Sequence, residues 1–182
     1  MIWRLLLATL LLNYFFINIC YAQQSNAPCI KNAKQLNKIE HNKDIGRIIQ
    51  ARKYKVKGRF YQSKSYNQIG KYQEIGLASW YGKQNHGKQT ANGEIFNQYK
   101  ISAAHKTLPL PSIVKVENLT NGKSLIVKVN DRGPFSYKRS IDLSCAAAIL
   151  LGFKEKGITK VKITYMPTMT KKLVKTKYLT HK

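Results

Sequence analysis

A short stretch in the second half of the chain limits the fold most. Ser112-Ile113-Val114-Lys115-Val116 alternates apolar and polar residues, and so does Ser124 to Val129, with Leu125, Val127 and Val129 on one face. Asn121-Gly122 lies between the two runs. A period of two on either side of Asn-Gly specifies an antiparallel hairpin with a tight turn. The second strand then runs into Asn130-Asp131-Arg132 and turns hard at Gly133-Pro134-Phe135. Acids are scarce, eight Asp and Glu against thirty-two Lys and Arg. A carboxylate fixed at a strand end, beside an arginine and before a rigid turn, is therefore a candidate for chemistry.

The same reading extends outwards. Ile75 to Gly82 is a strand bracketed by glycines, and Lys83 to Gly93 is loop-like, with Gly87 and Asn92-Gly93 as turn signals. Ile101 to His105 is extended, and Leu108-Pro109-Leu110-Pro111 is a stiff connector. Ile141 to Ser144 is a strand that ends in a helix N-cap. Cys145 to Leu151 is a short helix closed by Gly152, and Gly157 to Tyr165 returns to strand alternation. About six short strands and one short helix within roughly 95 residues suit a small closed barrel, because closure removes exposed sheet edges. The expected fold is mainly β: a six-stranded barrel with one or two short helices, flanked by basic flexible arms.

The flanks set the context. Met1 to Arg4 is a short positive head, Leu5 to Ile19 is an uncharged apolar run, and Cys20-Tyr21-Ala22 ends with small residues where a signal peptidase reads. Residues 1–22 read as a secretory signal peptide cleaved after Ala22, which places the protein in the periplasm or cell envelope. An uncleaved anchor helix or a lipidated Cys20 are the rival readings, and the bulky Ile19 weakens the second. Residues 23–72 are basic and poor in apolar residues, and are expected to form a disordered arm with one short helix near Lys38 to Lys53. Residues 73–167 form the barrel and 168–182 a basic tail. The formal net charge of +24 favours a polyanionic partner. Export argues against nucleic acid and leaves an anionic membrane or wall surface, met by the basic arms. The protein is expected to be a monomer. Export would allow Cys29 and Cys145 to pair, but Cys29 falls in the arm, so a free buried Cys145 is the expectation. His41, His86, His105 and His181 are scattered, so neither a metal nor another cofactor is expected.

Four acids fall in the loops and strand ends of the barrel: Glu94, Glu117, Asp131 and Asp142. Glu117 reads as a solvated surface charge. Asp142 reads as structural, paired with Arg132 or Arg139. Glu94 follows Thr90-Ala91-Asn92-Gly93 in a polar loop. His105 gains interest only if it shares a cleft with the acids. Trp80 and Tyr81 point to opposite faces of one strand, so one belongs to the core and the other is free to stack on a sugar ring or a lipid.

Five motifs now carry a resemblance: Gly76-Leu77-Ala78-Ser79-Trp80-Tyr81-Gly82, His86 to Glu94, Ala103 to Pro109, Asn130 to Phe135, and Ile141 to Ser144 with the alanine-rich helix after it. In this order they resemble the RlpA (rare lipoprotein A) family of lytic transglycosylases. The resemblance implies a double-psi β-barrel and exported action on peptidoglycan glycan strands. The reaction would cleave MurNAc-GlcNAc β-1,4 bonds and leave 1,6-anhydro ends, in cell-wall remodelling or cell separation. It places the catalytic pair on Glu94 and Asp131, with His105 associated. Trp80, Tyr81, Asn92, Asn130, Arg132 and Phe135 are the substrate-binding candidates. One carboxyl must stay protonated near neutrality. Arg132 would oppose that if it paired with Asp131, so it is expected to point elsewhere, towards Asp142. The competing reading is a non-catalytic, expansin-like wall-binding module.

Overall fold

The computed structural model describes residues 46–179. The leader, Cys20, Cys29 and the first part of the arm lie outside the described residues, as do residues 180–182. Strands β1 (Lys53–Val56) and β2 (Arg59–Gln62) form a hairpin, followed by a one-turn helix α1 (Tyr66–Ile69). The barrel strands are β3 (Gln73–Tyr81), β4 (Ser102–His105), β5 (Ser112–Asn118), β6 (Ser124–Asp131), β7 (Arg139–Ser144) and β8 (Thr159–Tyr165). Helix α2 (Cys145–Leu150) follows β7, and α3 (Pro167–Leu179) follows β8.

The six strands close in the order β3-β7-β4-β6-β5-β8. β3 with β7 and β4 with β6 are parallel; the other four pairs are antiparallel. β4 therefore sits between two strands that come later in the chain, so the connections cross over the barrel. Period-two burial makes the interior. Ala78, Ala103, Val114, Val116, Val127, Val129, Ile141, Leu143, Val161 and Ile163 are all fully buried. Each branched side chain contributes about 1.5–3 kcal/mol by leaving water. Ala147, Ala148, Leu151 and Phe153 extend the same core. Ser144 caps α2 by accepting from the Ala147 N–H, as its sequence position implied.

Three expectations need correction. Residues 46–72 are not a structureless arm in their described part, and residues 46–53 are not helical. Ile49 exchanges two backbone hydrogen bonds of 2.8 Å with the buried Leu110. Tyr54 donates its hydroxyl to the Lys106 carbonyl at 2.7 Å and stacks on Tyr61, centroids 5.3 Å apart. Lys57-Gly58 turns the hairpin with both φ angles positive, at 48° and 77°, the pattern that matches strand twist. Aromatic burial against the barrel offsets the ordering entropy that charge density alone suggested would win. The basic tail is likewise ordered as α3 in its described part. Pro167 suits its first turn, and the buried Thr170 accepts the Ile113 N–H at 2.9 Å. Finally, Cys145 is fully buried but disulfide-bonded rather than free. Its expected freedom rested on reading Cys29 as part of a flexible arm, and Cys29 lies outside the described residues.

Gly76 marks a close approach inside the barrel wall. A Cβ built there would lie 2.0 Å from Ser140 Oγ and 2.8 Å from Ser140 Cβ. Ser140 is the extra residue where the β3–β7 register shifts, between Arg139 and Ile141. Gly76→Ala should cost about 1–3 kcal/mol by overpacking. Adding Ser140→Gly should restore part of it, as read by thermal melts of the single and double variants.

Candidate active site

Polar strand residues collect on the outward face of β3, β7, β4 and β6. Paired positions lie on the same side of a sheet. Ser79 pairs with Asp142, Asp142 with Ala104, and Ala104 with Asp131. One step along, Tyr81 pairs with Ser144, and Ser102 with Lys128. Strict alternation after Val127 and Val129 would turn Asp131 into the barrel. It does not, because Ala103 pairs with Val129 while Ala104 pairs with Asp131. Asn130 is thus the extra residue of a bulge, and the bulge turns Asp131 outward beside it.

The long connection from β3 to β4 folds back over this face. Its tip, Thr90 to Glu94, is tied by Thr90 N–H to the Glu94 carbonyl (2.8 Å) and Gly93 N–H to the Thr90 carbonyl (2.9 Å). Gly93 has φ +93°, which a side chain would strain. The Thr90 hydroxyl donates to Asn92 Oδ1 at 2.8 Å. The loop is also pinned from the N-terminal side, where Arg47 N–H donates to the Asn92 carbonyl.

This loop brings Glu94 and Asp131 into one network. Asp131 Oδ1 accepts the N–H groups of Ala91 and Arg132, both at 2.7 Å. Oδ2 accepts no hydrogen bond among the described residues. Burial pushes the Asp131 carboxyl above the usual carboxylate range, with the two N–H donors and the Arg132 charge opposing. Glu94 is 5% exposed. Its Oε2 takes Lys128 Nζ at 2.6 Å and Asn130 Nδ2 at 3.1 Å, and its Oε1 takes Asn92 Nδ2 at 2.9 Å. Asn92 and Asn130, expected to bind substrate, thus hold Glu94 in place. Tyr81 is buried beneath, stacked on Phe96 at 4.4 Å. Burial raises its hydroxyl pKa, and so do the charges of Asp131, Asp142 and Glu94. Ser102 is close enough to influence that hydroxyl but makes no hydrogen bond to it.

Other candidates lie elsewhere. Trp80 faces the core side and donates its indole N–H to the Lys154 carbonyl at 3.0 Å. Phe135 is half-buried against Tyr61, 5.5 Å between centroids, and Tyr54. Arg132 points away from the Asp131 carboxylate, as expected, but not to Asp142. Its Nη1 donates to the carbonyls of Leu108 (2.6 Å) and His105 (3.1 Å), and its guanidinium lies over Tyr54. Asp142 instead takes Ser79 at 2.5 Å and Arg139 at 3.3 Å.

His105 is not brought to the carboxylate pair. Two residues on from core Ala103, it turns to the end of the barrel interior. Its Nδ1 accepts the N–H groups of Thr107 (3.2 Å) and Leu108 (3.1 Å). That leaves the proton on Nε2, 3.3 Å from Glu74 Oε2. Burial lowers the imidazole pKa, with Glu74 opposing, so the ring is neutral. His105 thereby shapes the turn whose carbonyls hold Arg132.

Glu74 is held at about 2, chiefly by the His105 hydrogen bond, with Ser140 and Tyr72 adding to it against burial. A carboxylate with a depressed folded pKa contributes stability above its ordinary value, 4.5 here, and loses it as pH falls through about 2. Glu74→Gln should therefore be less stable than wild type at neutral pH. It should also lose less stability on acidification across that window, as followed by urea unfolding at a series of pH values.

Sequence reasoning missed Lys128, Glu74, and Tyr54 with Tyr61. Lys128 was legible: it lies two residues before Asn130 on the polar side of an alternating strand. Among the described residues no three His, Cys, Asp or Glu side chains cluster as a metal site would require.

The lytic transglycolase family model matches residues 73–163. The endolytic peptidoglycan transglycosylase RlpA of Rickettsia typhi is 47% identical over 178 residues, covering 93% of this chain and 55% of the relative. That of Rickettsia bellii is 44% identical over 177 residues, covering 93% and 76%. The chain thus spans about half the length of the first relative. Among solved structures, apo expansin of Clavibacter michiganensis superposes with a TM-score of 0.40 at 19% identity, over 52% of this chain and 50% of that one.

Proposed function

The chain belongs to the RlpA family of lytic transglycosylases, and from that premise we propose that it is an endolytic peptidoglycan transglycosylase of the cell envelope. The observation that carries the reading is the asymmetry of the two carboxylates. Asp131 has one oxygen fixed by two backbone N–H groups and the other open. Glu94 has both oxygens taken by three side-chain donors.

Asp131 is the acid and base. Protonated on Oδ2, it gives its proton to the glycosidic oxygen as the C1–O bond breaks. The GlcNAc residue leaves with a free 4-hydroxyl. Positive charge on C1 of the MurNAc ring is then met by that ring's own C6 hydroxyl. Its proton passes to the Asp131 carboxylate as the 1,6-anhydro bridge closes, so no water is consumed and the acid is regenerated. Asp131's raised pKa suits this role, since burial favours the protonated form. Glu94, paired with Lys128, places negative charge near the developing oxocarbenium and fixes Asn130 next to Asp131. His105 is a positioning residue, acting through the turn that holds Arg132. The apolar leader of the sequence supports export, and the cationic surface supports residence at an anionic envelope.

Digestion of purified sacculi tests the reading. Anhydro-muropeptides should accumulate and be absent with heat-treated protein. Binding to sacculi without any anhydro product would leave the wall-binding module as the function.

A further inference from the structure

The hairpin precedes the residues matched by the family model, and the catalytic scheme does not use it. It lies beside a cleft of about 330 Å³ lined by Arg59, Phe60, Tyr61, Lys106, Ser136 and Tyr137, a size in the range of small-ligand sites. Two large aromatic side chains stand in solvent there, Phe60 at 76% and Tyr137 at 91% exposure. The cleft's charge has one sign. Arg59 and Lys106 line it, no acid does, and the chain has no Asp or Glu between Asp44 and Glu74. Lys55 adds a further cation over the Phe60 ring, 5.1 Å from its centroid. The Arg59 guanidinium has no ion-pair partner among the described residues.

The cleft is also tied to the catalytic turn. Tyr61, one of its walls, packs on Phe135, four residues beyond Asp131. Lys106 follows His105, and its carbonyl takes the Tyr54 hydroxyl that anchors the hairpin. An aromatic wedge of Tyr54, Tyr61 and Phe135 thus connects the cleft to the strand end.

From this we infer that the hairpin and the Ser136–Tyr137 loop form an accessory subsite for a carboxylate-bearing sugar strand. Phe60 and Tyr137 offer ring faces to the C–H faces of sugars, and Arg59 offers a planar donor pair to a carboxylate. The inference rests on the reading of the substrate as a peptidoglycan strand and names a second place where that strand is held. The carboxylate could belong to the lactyl group of a stripped strand or to a stem peptide, and the test separates these.

The full chain, Arg59→Glu, and the pair Phe60→Ala with Tyr137→Ala would be sedimented with intact sacculi and with amidase-stripped strands. Each variant should bind about tenfold more weakly, the scale of one lost charge-assisted or aromatic contact. Thermal midpoints should not change, because Tyr54 and Tyr61 are untouched, and Arg59→Lys should recover part of the binding. An Arg59→Glu loss seen only on the stripped strands assigns the carboxylate to the lactyl group, whose carboxyl is an amide in intact sacculi. A loss seen only on intact sacculi assigns it to the stem peptide. Wild-type binding by both altered proteins overturns the subsite and leaves the catalytic reading standing. Hairpin-dependent binding without anhydro product would do the reverse.

Discussion

Asp131→Asn should fold normally and release no detectable anhydro ends. An asparagine oxygen can accept the Ala91 and Arg132 N–H groups that now hold Oδ1, so loop and strand end stay joined. What disappears is the titratable oxygen. Loss of a positioned acid and base typically removes about 10²–10⁴ of rate, and here one residue serves both steps, so the upper part of that range is expected. Stability separates the catalytic reading from a structural one. Burial raises the folded pKa of Asp131 above its ordinary 3.8. A carboxyl of this kind contributes stability below its unfolded pKa and loses it as pH rises through the folded value. At neutral pH the asparagine variant should therefore be at least as stable, because ionising the buried carboxyl costs stability and asparagine has nothing to ionise. Near pH 3 the advantage should vanish. Muropeptide analysis with thermal melts at both pH values checks each half. Wild-type turnover, or a protein that fails to fold, would remove Asp131 from the role given to it.

The same residue shows how far the chain could be read before its structure was known. The hairpin around Asn121-Gly122 and the alternating strands 112–118 and 124–131 were legible, because a period of two and a turn dipeptide are local signals. The outward turn of Asp131 was not. Alternation from Val127 and Val129 points it inward, and only the non-local pairing of Ala104 with Asp131 turns it out. The hairpin at 53–62 was hidden for a related reason. Its charges dominate the composition, whereas the contacts that order it run to Lys106 and Phe135, more than fifty residues away. His105 was read as a candidate member of the site, but its partners, Glu74 and two backbone N–H groups, make it a keystone of a turn rather than a member of the carboxylate pair. Lys128 went unread, although it lies two residues before Asn130 on the same polar face of an alternating strand.

Lys128 makes Glu94 the harder residue to test and defines the experiment required. Glu94→Gln should lose both activity, by at least about 100-fold, and stability, by about 3 kcal/mol. A glutamine keeps one oxygen. If that oxygen faces Lys128 and Asn130, its NH₂ meets Asn92 Nδ2; if the amide is reversed, the NH₂ meets the Lys128 ammonium. Either way a buried donor loses its acceptor, and Lys128, only 19% exposed along its side chain, loses its counter-charge. A drop in activity alone would therefore not distinguish a catalytic carboxylate from a structural one. Glu94→Gln with Lys128→Met does. Methionine keeps the length of the side chain and removes the stranded cation, so most of the lost stability should return in urea unfolding. If negative charge at Glu94 stabilises the developing oxocarbenium, anhydro product should stay absent from that stable double variant. Recovery of turnover together with stability would show that Glu94 only balances Lys128, and would leave Asp131 to act alone.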